Sequence, residues 1–433
     1  MEILGRTSGF VRHSVDGRLV RAAACTVDLS PLSATDLGAS PGARLPWDGV
    51  ADPIEVAFLA LWPAEDNPPI LLASFDVLFV GHTLRNLTEK VSGLPAERVI
   101  VGSTHTHQAP MVDSSKPKLG RVSETYMSMV ADRIEPAVKA LLQGSSGTVS
   151  LSAASGMARN SVNRRKYYRR YISRRILRNT MLNAPNKQGC TDETLITATL
   201  RAEDGAPVAI VWNYACHPVG RKPRNAVSAQ FPGAIRERIR RSEGQSELPV
   251  LYFQGFSGNT RPSATIGSWR FRDLPKQLLN GLVFSNMSDR RYSRWVSNLA
   301  KRVDQTRACE KETPVDSIAT KRVTIPASEL YTEQPGEVSF VRLDLGSQFT
   351  LIGMSGEVVA EYAQTVRAIV DRPFVACAGC LDTPTGYVPV HAMLSEGGYE
   401  AQGFCQAFNV RSVQPSIEEN VHKGFHLVSS GSR

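Results

Sequence analysis

Two histidines one residue apart, His105 and His107, stand at the end of an apolar run: residues 97–110 read ERVIVGSTHTHQAP. The whole chain holds only eight histidines, so this pair is its most concentrated source of imidazole. Alternate residues of an extended segment project to one face, and the spacing therefore predicts two imidazoles directed into one space just past a strand. Neutral imidazole nitrogen is a good zinc ligand, but a zinc site needs three or four protein groups. Solvated loop histidines are the plainer reading of H-x-H alone. The rest of the chain has to supply the other ligands.

The same arrangement recurs four times. APVAIVWNYACHPVG places His217 just after an apolar run, ELPVLYFQGFSGNTRP places Ser257 and Asn259 after another, and FTLIGMSGEVVAEYAQTVR is followed by Glu357 at an expected helix start. RPFVACAGCLDTPTGYVP gives a further run, followed by Tyr387. Short runs of apolar and β-branched residues that end in Gly, Ser, Pro or Asn read as buried strands entering loops. In α/β sheets ligands collect outside the carboxyl ends of strands, so these five segments predict one pocket.

The order and wording of these segments resemble the catalytic domain of the neutral/alkaline ceramidase family, which are zinc-dependent amidohydrolases. T-H-T-H-x-x-P at 104–110 and A-C-H-P at 215–218 are similar to that family's two histidine motifs. Phe256-Ser257-Gly258-Asn259 resembles its V-S-P-N element, Gly356-Glu357 its glutamate loop, and Tyr387 with Tyr399 its tyrosine pair. AACTVDLSP and LLASFDVLF near the N-terminus look like family segments too, and the resemblance runs collinearly over about residues 20–403.

Carried over by position, the resemblance implies Zn2+ held by His105, His217, Glu357 and Tyr387. It also implies substrate-polarising or proton-handling roles for His107 and Tyr399 and an anchoring role for Arg164. Such a ligand set leaves room for a water whose pKa falls to about 7 on the metal. Ser257 has no G-x-S-x-G elbow around it, and an activated water makes a serine nucleophile unnecessary, so its expected part is to shape the site or orient substrate. Taken singly, Glu357 could merely complement a helix dipole, and Tyr387 and Tyr399 could merely pack.

The implied fold is α/β, a mixed β-sheet core flanked by helices like a neutral-ceramidase catalytic domain. The sequence ends about thirty residues after Tyr399, which leads us to expect no C-terminal immunoglobulin-like domain. Gln108-Ala109-Pro110-Met111-Val112-Asp113 replaces the small residues common after the histidine motif, and Gly258 replaces the usual proline. Ceramide is therefore not the expected substrate. What the resemblance implies is hydrolysis of a small-molecule N-acyl amide, acidic ones being the first to consider; a zinc esterase or acyl-transfer enzyme would use the same centre.

At 433 residues, 42% hydrophobic and 21% charged, the chain is long enough for one large catalytic domain spanning 1–433. Its longest apolar runs, such as 69–80, are broken by Asp76 and fall short of the ~20 residues of a membrane helix. The first residues lack a basic segment followed by an apolar one, and seven scattered cysteines do not form a secreted disulfide pattern, so a cytoplasmic location is expected. Cys377-Ala-Gly-Cys380 is a single C-x-x-C without a second pair.

The net charge of +9 is concentrated at 164–178, RRKYYRRYISRRILR, with eight basic residues, three tyrosines and no acid. Basic residues interleaved with aromatics can grip phosphates and bases, so a nucleic-acid or anionic-surface binder on a degenerate hydrolase scaffold is the alternative reading. Retention of all four implied ligands argues against it, and nucleic acid is not the expected partner. The expected place of this run is the rim of the site, with 221–241 extending it, although the arginines of the amphipathic FPGAIRERIRRSEG could simply face water. Residues 179–193 read as a loop, and 262–290 as a lid or insertion with Trp269, Phe271 and Phe284 available to an acyl chain. A helix at 291–308 and strands near 316–326 and 337–344 complete the reading.

Overall fold

The computed structural model describes residues 6–14, 20–38, 47–63, 67–144, 146–173, 176–223, 225–267 and 282–430, without the side chains of 6–14, 169–173 and 176–179. Trp269 and Phe271 lie outside the described residues.

Two sheets form the centre. The larger has nine strands in the order β11 (Val250–Gln254), β10 (Pro207–Tyr214), β9 (Thr194–Ala202), β6 (Gly147–Met157), β2 (Val20–Asp28), β3 (Glu55–Trp62), β4 (Ile70–Phe75), β5 (Val99–Ser103), with β13 (Lys311–Thr313) also on β6. The second has five, β1 (Arg6–Ser14), β14 (Ser317–Pro326), β15 (Glu337–Leu345), β16 (Phe349–Met354) and β18 (Phe374–Ala378). Leu72, Ile100, Val211 and Leu251 of the first pack against Ile318, Leu343, Leu351 and Ala376 of the second in one buried cluster.

Helices cover the outer faces. α1 (Gly81–Ser92) and α2 (Glu124–Gln143) pack against the β2–β5 side of the large sheet, and α3 (Gln230–Glu243) and α4 (Asp289–Arg307) against its β9–β11 side. α5 (Tyr362–Val370) and α8 (Ile417–Ser429) cover the second sheet, while α6 (His391–Glu396) and α7 (Cys405–Phe408) lie near the site. The result is four layers, helix, sheet, sheet, helix. This explains why ILLASF of β4 is buried at every position: a strand covered on both faces has no polar side. α2 shows the other pattern. Ser123 caps it by accepting the Tyr126 N–H at 3.3 Å, and Tyr126, Val130, Ile134, Val138 and Leu141 form its buried stripe.

Three parallel pairs, β4–β5, β10–β11 and β16–β18, deliver their carboxyl ends to one place. Hydrogen bonds lock these ends across the two sheets. Ser103 N–H donates to Cys380 O at 3.3 Å, Gly379 N–H to Gln254 O at 2.8 Å, and the buried Asn213 amide to both Phe253 O (2.8 Å) and Cys377 O (2.9 Å). Gly255 is required here, because a Cβ would come within 2.7 Å of the Ala215 backbone.

The structure corrects four expectations. Glu357 does not start a helix; it begins β17 (Glu357–Val358), which pairs in parallel with β19 (Tyr387–Val388), and α5 starts only at Tyr362. Most of 179–193 is not a loop, since β8 (Ile176–Asn186) forms an antiparallel hairpin with β7 (Ser161–Ser173), onto which β12 (Thr260–Pro262) adds. Of the basic run 164–178, residues 164–173 and 176–178 thus lie on paired strands, and Arg164 and Arg165 at its head are buried. In α3, Arg236 and Arg240 are buried too, paired with Asp76 (2.7 Å) and Glu55 (2.8 Å), because the helix lies over a sheet end that carries those acids.

Candidate metal centre

His105 follows β5 by two residues in the left-handed region, at φ 64, so the chain has already left the extended geometry from which alternation was inferred. That twist, not strand alternation, brings the imidazoles together. His105 Nδ1 donates to Leu78 O at 3.0 Å, and His217 Nδ1, three residues past β10, donates to Ser257 O at 3.1 Å. These two carbonyls fix both rings and turn both Nε2 atoms inward, as acceptors in the neutral imidazoles. The Nε2 atoms lie 3.0 Å apart, and Glu357 Oε2 lies 3.2 Å from one and 3.5 Å from the other. All three residues are at least 97% buried.

Two acceptor lone pairs and a carboxylate oxygen so close together require a cation between them, a proton or a metal. Ligands of a tetrahedral zinc at about 2.0–2.2 Å are themselves about 3.2–3.5 Å apart, so the observed triangle fits the ion. Burial holds the His217 imidazole well below its usual pKa, as do the neighbouring His105, Arg164 and His107. His105 differs: burial lowers it, but the Cys380 thiol and Glu357 carboxylate beside it raise it further.

His107 also faces this centre. Its ring centroid is 5.1 Å from that of His105 and 5.4 Å from that of His217, and one nitrogen from each of the three lies within 4.8 Å of the others. His107 Nε2 is buried without a hydrogen bond among the described residues, and burial, His105, Arg164 and Arg261 keep the ring neutral. The structure thus brings together a three-histidine set that the sequence reading divided between metal and substrate.

Tyr387 stands directly opposite Glu357 in the β17–β19 register. Its phenol is pushed up by burial and by the Glu357 carboxylate, against the pull of Arg164. Its ring meets that of Tyr399 at 5.3 Å, edge to face. The Arg164 guanidinium lies 5.5 Å and 5.7 Å from the two ring centres. Arg164 itself is anchored, its Nε donating to Glu400 Oε1 at 2.6 Å and an Nη to Gly258 O at 2.7 Å.

Ser257 acts through its carbonyl, which orients His217; its hydroxyl accepts from the Gln254 amide, and it is not among the residues lining the cavity. Gly258 donates its N–H to Val358 O at 2.8 Å, and a Cβ there would come within 2.6 Å of Glu357 O. A proline at 258 would lose that bond and push on the glutamate loop, so the departure from V-S-P-N is matched by a local crossing that needs glycine. Asn259 ties the same loops together. Its amide donates to both Glu361 oxygens (3.0 and 2.7 Å), and its oxygen accepts from Ala360 N–H at 3.0 Å.

Sequence reasoning missed Glu400, Glu361 and Arg261, and it set aside Cys380 as part of a single C-x-x-C. Glu400 alone carried a signal, an acid beside Tyr399 in a chain whose Arg164-Arg165 pair needs a counter-charge. Burial would raise its pKa, but Arg164 and Arg165 outweigh burial and hold it low. The centre opens into a cavity of about 770 Å³ lined by His107, His217, Glu357, Tyr387, Tyr399 and Arg164 among others. Among the described residues no helix is long and apolar enough to cross a membrane.

No family model matches the chain, and no curated protein matches it by sequence. Solved structures do. A ceramidase complexed with C2 superposes with a TM-score of 0.69 at 13% identity, over 95% of this chain and 75% of that one. The neutral ceramidase from Pseudomonas aeruginosa superposes with a TM-score of 0.66, again at 13% identity, over 96% of this chain and 74% of that one. Four layers of mixed α/β structure, with the His105, His217 and Glu357 loops at the shared strand ends, are a neutral ceramidase-like fold.

Proposed function

We propose that this chain is a zinc-dependent hydrolase that cleaves the amide bond of N-acylated small molecules other than ceramide, with acidic ones foremost. One observation carries the reading: two Nε2 atoms 3.0 Å apart, both turned inward by the carbonyls that accept their Nδ1–H groups, with a buried carboxylate oxygen closing the triangle. His105, His217, Glu357 and Tyr387 would hold the ion. Zinc there supplies a Lewis acid and a water acidified to a pKa of about 7.

The remaining roles belong to side chains around the cavity. Tyr399 hydrogen-bonds the amide oxygen as charge builds on it, a contact worth roughly 10²–10³ in rate. Neutral His107, with its buried Nε2, takes up the proton released by the attacking water and passes it to the departing amine, returning to its neutral form. Arg164 is a positioning residue, holding the two tyrosine rings against its guanidinium face. Ser257 positions His217 by its carbonyl. A single catalytic unit is part of the proposal, since the residues it uses span 105–399 and come from loops of both sheets. So is a cytoplasmic location, which rests on the scattered cysteine set.

The binding-protein alternative loses support at the head of the basic run. Arg164 and Arg165 are committed to Glu400 at 2.6 and 2.8 Å, and neither is presented to a phosphate backbone. The test is release of free amine from N-acyl amides by zinc-loaded protein. Amine release that stops on chelation and returns with zinc supports the proposal; equal release with and without the metal contradicts it.

A further inference from the structure

Tyr399 is reached through two glycines. Gly397 (φ 70, ψ −151) and Gly398 (φ 95, ψ −176) both lie in a region of backbone space that only glycine occupies freely. They carry the chain out of α6 and into one wide turn, Tyr399–Gly403, whose first residue is the tyrosine lining the cavity. Within that turn the Gln402 and Gly403 N–H groups donate to Gly398 O at 3.0 and 3.1 Å, and Phe404 N–H donates to Tyr399 O at 2.9 Å. A pair of glycines has no side chain with which to fix the turn against the body of the protein, so a group from elsewhere has to place it.

Arg165 does so. One Nη donates to Glu396 Oε2 at 3.0 Å and to Gly397 O at 2.8 Å, and the other donates to Glu400 Oε2 at 2.8 Å. A single side chain thus grips residues on both sides of Tyr399. Gly398 passes so close that a Cβ there would come within 3.0 Å of the same guanidinium. The grip stands on a fixed base: Arg165 N–H donates to Asn163 Oδ1 at 2.8 Å, Arg165 O accepts from the Asn186 amide at 2.9 Å, and Arg164 N–H donates to Asn259 O at 2.8 Å, which ties β7 to the loops of the metal centre. The β7–β8 register slips between Asn163 and Arg165, and in this irregular stretch two consecutive arginines reach one carboxylate, Arg164 at Glu400 Oε1 and Arg165 at Oε2. Arg164 also faces the tyrosine rings, whereas Arg165 holds the chain that carries one of them.

We propose that Arg165 is a positioning residue for Tyr399, clamping 396–400 to β7 so that the phenol meets the substrate amide. This rests on the amidohydrolase reading and deepens it, by assigning a residue through which Tyr399 acts. The planar guanidinium suits the task, because its fixed fork of five N–H groups can serve a carbonyl and two carboxylates at once, which the point charge of a lysine cannot. A hydrogen bond to a developing charge is also lost when its donor is misplaced by about 1 Å, so holding the backbone matters as much as having the hydroxyl.

The experiment follows amine release from N-octanoylglycine by the zinc-loaded full chain in wild type, Arg165→Gln, Arg165→Lys and Glu396→Gln, each also in the Tyr399→Phe background, with backbone hydrogen exchange measured alongside. Arg165→Gln is expected to lower kcat about 10–100-fold while KM and zinc affinity keep their wild-type values. Exchange at Gln402, Gly403 and Phe404 should quicken about tenfold or more. Arg165→Lys keeps the charge without the fork and should recover part of the loss. In Tyr399→Phe the same Arg165→Gln change should cost less than about twofold, because the hydroxyl through which the clamp acts is already gone. Glu396 is 41% exposed, so Glu396→Gln removes one contact without emptying a buried site and should show a smaller loss of the same kind. If Arg165→Gln fails to fold, the cycle with Tyr399→Phe is read in Glu396→Gln. An unchanged rate, a loss of equal size with and without the Tyr399 hydroxyl, or a rise in KM or loss of zinc in place of the fall in kcat overturns the clamp. Wild type that releases no amine overturns the hydrolase reading instead; exchange at the three amides then decides the clamp, faster exchange supporting it and unchanged exchange overturning it.

Discussion

Glu357 and Tyr387 are direct partners in a two-residue parallel ladder, the Glu357 N–H bonding to Gly386 O at 2.9 Å. Thirty residues apart in sequence, they are set side by side by the short strands rather than by any helix. Glu357→Gln keeps the shape and removes the charge that balances a cation between the histidines. Zinc affinity should fall by about 100-fold or more, whereas Tyr399→Phe should keep its zinc and lose about 10²–10³ in turnover. Zinc titration against a competing chelator, together with amine-release rates, checks both.

Gly258 lets the Ser257 loop cross the glutamate loop. Gly258→Pro should lower the thermal midpoint, with a loss of about 1–3 kcal/mol from the Val358 bond alone, and should also weaken zinc binding because Glu357 is displaced. Gly258→Ala meets the same 2.6 Å approach to Glu357 O and should be milder only in keeping its N–H. Calorimetric melting and metal content separate the two effects.

Much of this was legible in the sequence, and the misses share a cause. Buried runs such as VIVGS, FTLIGM and FVACA are read correctly because burial on both faces of a sheet allows only apolar residues. The convergence of their ends follows from parallel pairing. The route of the chain just past a strand is not legible, since it depends on single dihedral choices such as φ 64 at His105. For the same reason Glu357 reads as a helix start although the helix begins five residues later. Arginines give the opposite difficulty: Arg164, Arg165, Arg236 and Arg240 look solvated in composition, and only tertiary structure reveals Glu400, Asp76 and Glu55 waiting for them.

Glu400 is paired with both Arg164 and Arg165, all three buried. Glu400→Gln leaves the buried Arg164 guanidinium without a carboxylate, while Arg165 keeps Glu396 at 3.0 Å, and should cost about 3–5 kcal/mol. Turnover should fall as well, because Arg164 then ceases to hold the tyrosine rings. Chemical denaturation gives the first number and amine release the second.

Acid should destabilise the fold through Asp382, which is buried against Arg322 and Arg85. Burial alone would raise its pKa, but the two guanidiniums outweigh burial and hold it below the usual carboxylate range. A depressed folded-state pKa stabilises fully above the unfolded value of about 3.9 and is lost as pH falls through the folded value. Wild type should therefore lose its thermal advantage over Asp382→Asn below about pH 4 and keep it at neutral pH. Melting curves across that range would refute this if the gap stayed constant.

The central claim is that a metal ion sits between His105, His217 and Glu357, and elemental analysis of protein purified without chelators tests it most directly. The account predicts about one zinc per chain in wild type and none in His105→Ala/His217→Ala with the fold retained. Wild-type protein that stays free of zinc even when the metal is supplied would contradict it, and a proton would then be the cation those nitrogens share.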